Sequence, residues 1–118
     1  MKFNYEDLDV AKLSRRLISD VYQLSEDFPS KENFGLTSQM RRAAVSVLLN
    51  IAEGDNRKTK KDYSHFITIS TGSLVELDCA LKISIDLKYL SNERYLRLEP
   101  TIKELYFKLI GLAKYLRK

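Results

Sequence analysis

The stretch Tyr95-Leu-Arg-Leu-Glu-Pro-Thr-Ile-Lys-Glu-Leu-Tyr-Phe-Lys-Leu-Ile-Gly-Leu-Ala-Lys-Tyr-Leu116 decides the fold. Its apolar residues Tyr95, Leu98, Ile102, Leu105, Leu109, Leu112 and Leu116 are separated by steps of three or four, which puts them on one helix face. Ser91 and Asn92 supply the turn and cap signals in front of it. Pro100 interrupts the run. It either kinks this helix or opens the main helix at its first position, after a short turn.

The preceding segment has the same period. Thr59-Lys-Lys-Asp62 has the form of a capping box and starts a helix predicted to reach about Lys88. Roughly 30 residues make it about 45 Å long. Phe66, Ile69, Leu77, Ala80, Ile83 and Leu87 are its predicted buried side. Before it, Met40, Ala44, Val47 and Ile51 form a stripe, with Ala43 and Leu48 beside it and Gly54 and Asn56 at its end. Thr37 or Ser38 can cap that helix, with Leu36 just outside. A first helix is predicted from about Tyr5 to Asp27, with Leu13, Leu17, Val21, Leu24 and Phe28 inward and Ile18 and Tyr22 widening the face. Phe28-Pro29-Ser30 ends it, because the residue before a proline disfavours helical geometry.

Short breaks between four amphipathic helices force neighbours to run antiparallel. The predicted fold is all-α, an antiparallel up-down-up-down four-helix bundle, with residues 1–118 as a single domain. The chain's 118 residues suit one core, and four Gly and two Pro are too few for a turn-rich all-β fold. The amino terminus does not read as a signal peptide, and no apolar run approaches a membrane span. A lone cysteine, Cys79, makes no internal disulfide, which suits the cytoplasm. Its default reading is a buried, inert thiol.

Two polar features stand out. Gln39, Arg42, Ser46, Asn50, Glu53 and Arg57 form one polar line on the second helix. Ser70, Ser73 and Glu76 fall within or beside the apolar face of the third. Buried polar groups need partners, so Arg42, Ser46, Asn50, Glu53, Ser73 and Glu76 are expected to meet in a buried polar network, with Arg42 and Asn50 donating to Glu53 or Glu76. A register-setting seam or an ordinary solvated face is preferred over a catalytic pocket. A di-metal centre is excluded, since it needs carboxylates from all four helices and a Glu-x-x-His pair, which the sequence lacks. No catalytic residue, metal ligand, cofactor site or small-molecule site is assigned.

The second feature is charge. The net charge is +4, and residues 41–61 alone carry that surplus, with six basic residues against Glu53 and Asp55. Arg57, Lys58, Lys60 and Lys61 are the candidate nucleic-acid-binding residues, able to contact phosphates beside a helix N-terminus. The plainer reading is a solvated loop. Tyr63 and His65 could stack on bases, although packing for Tyr63 and a surface position for His65 are the plainer expectations. Arg15, Arg16, Lys114, Arg117 and Lys118 add positive charge that looks dispersed.

Gln39-Met-Arg-Arg-Ala-Ala-Val-Ser46, Asn50-Ile-Ala-Glu-Gly54 and Gly72-Ser-Leu-Val-Glu76, with Tyr5-Glu-Asp-Leu8, Phe28-Pro29 and Gly35-Leu36, resemble a bacterial four-helix-bundle family. It is the family of proteins encoded in intervening sequences of 23S ribosomal RNA genes. The resemblance spans nearly the whole chain. It implies a ring-like homo-oligomer, a pentamer, and kinship with retroelement accessory variability proteins, which are basic pentameric barrels that bind nucleic acid. Family members often carry an aromatic where Ala11 stands, so the packing of the first helix is expected to differ here. The resulting expectation is a non-enzymatic cytoplasmic homo-oligomer that binds RNA or DNA. The alternative is a protein–protein interaction scaffold using exposed Phe3, Tyr5, Tyr106 and Phe107. An enzyme built on Glu53 and Glu76 ranks last.

Overall fold

Two hydroxyls begin the two longest helices. Thr59 Oγ1 accepts from the Asp62 N–H at 3.1 Å, and Ser91 Oγ accepts from the Arg94 N–H at 3.1 Å. Each occupies one N–H that the first helical turn leaves unpaired. In the computed structural model, which describes residues Met1–Lys118, the helices are α1 Asp9–Ser25, α2 Leu36–Asp55, α3 Lys60–Asp86 and α4 Asn92–Leu116. Short 3₁₀ turns at Asn4–Asp7 and Ser30–Glu32 complete the chain.

Each helix packs on its neighbours in sequence, and α4 closes back on α1. No diagonal pair is in contact, so the helices stand at the corners of a square: an antiparallel four-helix bundle. Leu17, Val21, Met40, Val47, Ile51, Leu105 and Leu109 are among the core residues with almost no exposure. The predicted stripes of α1, α2 and α4 lie inward, with Leu98 and Leu112 only partly buried, but Tyr22, expected to widen the α1 face, is exposed. Ala11 is fully buried, so a small side chain packs against the core at this point of α1.

α4 runs unbroken through Pro100, which removes the helix-opening alternative. Proline has no N–H, so the Leu96 carbonyl loses its helical partner. Leu96 and Pro100 both face solvent, where water can occupy that carbonyl.

Several expectations are corrected. α1 begins at Asp9, because the residues from Asn4 form a separate 3₁₀ turn. Neither Thr37 nor Ser38 caps α2. Leu36 lies inside the helix, Gly35 precedes it, and the Thr37 hydroxyl is buried without a partner. The Glu32 carboxylate does the capping, accepting from the Leu36 N–H at 3.0 Å and from the Tyr89 hydroxyl at 3.1 Å. Those two bonds, the backbone one first, hold Glu32 below the usual carboxylate range.

The largest correction concerns α3. Ile69, Ile83 and Leu87 are exposed, and Phe66 is only partly buried. The inward side is Ser64, Ile67, Ser70, Ser73, Leu74, Leu77, Ala80, Leu81 and Ser84. Leu77 and Ala80 belong to both stripes, but the serines replace isoleucines as the residues facing neighbouring helices. Ser70 Oγ donates to the Val47 carbonyl of α2 at 2.7 Å, and Ser64 Oγ donates to the Ala113 carbonyl of α4 at 3.1 Å. Ser84 Oγ donates within its own helix, to the Ala80 carbonyl at 2.8 Å. Small side chains let helices approach closely, and each of these hydroxyls finds an acceptor, so burial carries little penalty. Cys79 is exposed rather than buried, since Ala80 takes the inward position beside it.

Candidate nucleic-acid interface

The antiparallel order places the start of α3 and the end of α4 at the same end of the bundle. The Ser64–Ala113 hydrogen bond locks them side by side. Lys60 extends from the first position of α3, and its ammonium lies 5.9 Å from the Tyr115 ring centroid on α4. The run Arg57, Lys58, Lys60 and Lys61 therefore shares this end with Lys114, Arg117 and Lys118. All seven residues are exposed.

Arg57 differs from the rest. Its guanidinium pairs with Glu53 at 2.9 Å and lies 4.5 Å from the Phe66 ring centroid. The other six cations take part in none of the seven ion pairs of the chain. Asp62, in the first turn of α3, is an exposed carboxylate with no ion-pair partner, but the other nearby acids are engaged elsewhere. Asp9 pairs with Lys108 at 3.2 Å, and Asp7 pairs with Lys2 at 2.8 Å. Glu6 accepts from the Phe3 N–H at 2.8 Å, and Asp55 lies 3.4 Å from the Asn4 amide. The positive field at this end is thus little compensated locally.

Helix chemistry treats the two groups of cations differently. Lys114, Arg117 and Lys118 sit at a helix C-terminus, where positive charge is favourable. Lys60 and Lys61 sit at a helix N-terminus, where it is not. Their placement is unexplained by local stability.

Tyr63 is half-buried. Burial and then the neighbouring Asp55 carboxylate raise its pKa, which fits a packed neutral phenol. His65 is exposed and meets Phe66 edge-on, with ring centroids 5.8 Å apart.

Part of the expected polar network forms between α2 and α3. Ser46 Oγ and Ser73 Oγ share a hydrogen bond of 2.9 Å, and Asn50 Nδ2 donates to the Ser46 carbonyl at 2.9 Å and to its hydroxyl at 3.1 Å. Arg42, Glu53 and Glu76 stay outside it. All three are exposed, and Arg42 and Glu76 have no ion-pair partner. Long charged side chains at the edge of a seam retain hydration by turning outward, whereas Ser and Asn are short enough to stay in it. No group of three potential metal ligands occurs, and no helix is long and apolar enough to cross a membrane.

Lys114, Tyr115, Arg117 and Lys118 were not legible as part of a site from their own surroundings. The available signal was topological: in an up-down-up-down bundle the fourth helix ends where the third begins.

No curated protein matches the chain. A solved protein of unknown function from the S23 ribosomal protein family of Bacteroides thetaiotaomicron is similar in structure, with a TM-score of 0.79 and 20% sequence identity. The match covers 89% of this chain and 98% of that one, and it supports the bundle fold. The family described as 23S rRNA-intervening sequence protein matches residues 6–111. Motifs, fold and family match agree, and the chain belongs to the 23S rRNA-intervening sequence protein family.

Proposed function

We propose that this protein is a non-enzymatic, self-assembling bundle of the cytoplasm that binds RNA or DNA through its basic end. The carrying observation is the cluster of exposed cations around Lys58, Lys60 and Lys61, with no ion-pair partner in the chain. Such a cluster attracts a polyanion by releasing its condensed counterions, without reading sequence. Self-assembly into a ring, the pentamer suggested by the family motifs, would repeat that end around an axis and strengthen its field. The exposed apolar residues Ile69, Ile83 and Leu87 on α3 and Leu49 on α2 are the surface best suited to a second copy. Exposed Arg42 on α2 and Glu76 on α3 offer complementary charges for such a contact.

Filter binding of a labelled oligonucleotide at 50 and 200 mM salt tests the reading. Four phosphate contacts predict an affinity loss on the order of 50- to 150-fold over that range. Replacing Arg57, Lys58, Lys60 and Lys61 together by Gln should weaken binding clearly and reduce the salt dependence, with the cations at the end of α4 holding the remainder. Absent binding at low salt, or binding indifferent to the four substitutions, overturns it. An interaction scaffold is the second reading, favoured by the solvent exposure of Phe3 and Phe107. Tyr5 and Tyr106 contribute less, being half-buried.

A further inference from the structure

Tyr115 is 63% exposed in the midst of the unpaired cations. It stands between Lys114 and Arg117 in sequence, and Lys60 reaches it from α3. An aromatic ring flanked by cations matches what an unpaired nucleotide requires. The ring receives the base face, and the ammonium and guanidinium groups receive the phosphates on either side. A duplex cannot use the ring in this way, because its bases are already stacked on one another.

Among the other exposed aromatics, Tyr22 has Arg41 4.6 Å from its ring centroid, but that guanidinium donates to Ser25 Oγ and to the Tyr22 carbonyl, and the pair lies at the opposite end of the bundle from the basic cluster. Phe3 lies at the same end, but its groove is lined by Glu53 and Asp55, which repel phosphate. Phe34 is fully exposed in the α1–α2 connection, at the opposite end of the bundle. Phe107 packs edge-on against Tyr106, with ring centroids 5.3 Å apart, about two turns away from Lys114. A structural role for Tyr115 is poorly supported, since the core beside it is closed by Ala113 and Leu116.

We infer that the basic end recognises single-stranded polynucleotide, with Tyr115 as a stacking platform for one base and Lys60, Lys114, Arg117 and Lys118 as its phosphate contacts. This rests on the nucleic-acid reading above and adds the strand class and the base-contacting residue.

The chain has no tryptophan, so Tyr115→Trp installs a single fluorescent reporter at the site. The experiment titrates the full chain with a 12-nucleotide uridine RNA, a 12-nucleotide thymidine DNA and a 12-base-pair duplex. Single strands of at least one sugar type are expected to bind several-fold more tightly than the duplex and to quench the indole emission of the Tyr115→Trp variant. Tyr115→Ala should weaken single-strand binding by about 5- to 150-fold, the range of one lost base stack, while leaving the salt dependence and duplex affinity unchanged. Tyr115→Phe should retain binding, which a role for the hydroxyl would not allow. Equal affinity for single strand and duplex, with Tyr115→Ala neutral and the indole emission unquenched, overturns the stacking site and leaves electrostatic binding intact. No affinity for any of the three probes overturns both readings.

Discussion

Gly54 sets how closely α2 and α3 approach where they turn into each other. A Cβ built there would lie 3.0 Å from Phe66 Cβ, 3.0 Å from Tyr63 Cδ1 and 3.2 Å from the Tyr63 carbonyl oxygen. The last is backbone and yields least. Gly54→Ala therefore opposes two effects: a gain of about 1 kcal/mol in helix propensity and a loss of about 1–3 kcal/mol from overpacking. We expect a net loss, because all three contacts with α3 are tight and one is backbone. Gly111 is the control, with open space around the same virtual atom. Gly111→Ala should gain about 0.5–1 kcal/mol. Urea unfolding of the pair reads both signs, and a stabilised Gly54→Ala would contradict the close approach. Lys88 shows the same scale of reasoning in a left-handed position. Its φ of 68° ends α3, and the Tyr89 N–H returns to the Ser84 carbonyl at 2.9 Å. Nothing in the local sequence marks Lys88 for that role, since a glycine is the usual residue there.

α3 is the element with mixed chemistry on both sides. Ser64, Ser70, Ser73 and Ser84 lie inward beside Ile67, Leu74, Leu77 and Leu81, while Ile69, Ile83 and Leu87 face solvent. A helix that exposes Ile69, Ile83 and Leu87 along its length remains incompletely covered within one chain. Burying one such side chain is worth about 1.5–3 kcal/mol, so a second copy laid on this face would gain substantially. Under the proposed self-assembly through this face, Ile69→Asp with Ile83→Asp should leave the helical circular dichroism intact and lower the mass in light scattering to that of a monomer. An unchanged mass would place the contact elsewhere. The same substitutions in a buried stripe would unfold the protein, so the spectrum separates the two placements of these isoleucines.

On the scale of the whole molecule, charge is segregated by topology. Ser64 near the start of α3 and Ala113 near the end of α4 are 49 residues apart in sequence, yet they bond directly. Lys60 and Lys61 oppose the α3 dipole and share their end of the bundle with the cations of α4. Lys60→Gln with Lys61→Gln should therefore keep the melting temperature or raise it by roughly 2–4 °C at low salt, with the gain fading as salt rises. Differential scanning calorimetry checks this, and a clear destabilisation would show that the lysines serve the fold. Three of the four helix faces, the order of the helices and the Thr59 and Ser91 caps were determined by the sequence itself, because a three-to-four repeat and a cap need only residues within a few turns. The true inward face of α3, the exposure of Cys79, the Glu32 cap on α2 and the convergence of Lys60 with Tyr115 were decided only by the tertiary structure. Each depends on a partner from another segment. A serine counts as polar in any local pattern until a carbonyl of the neighbouring helix accepts its proton, and dispersed charges become a site only when the bundle brings two helix ends together.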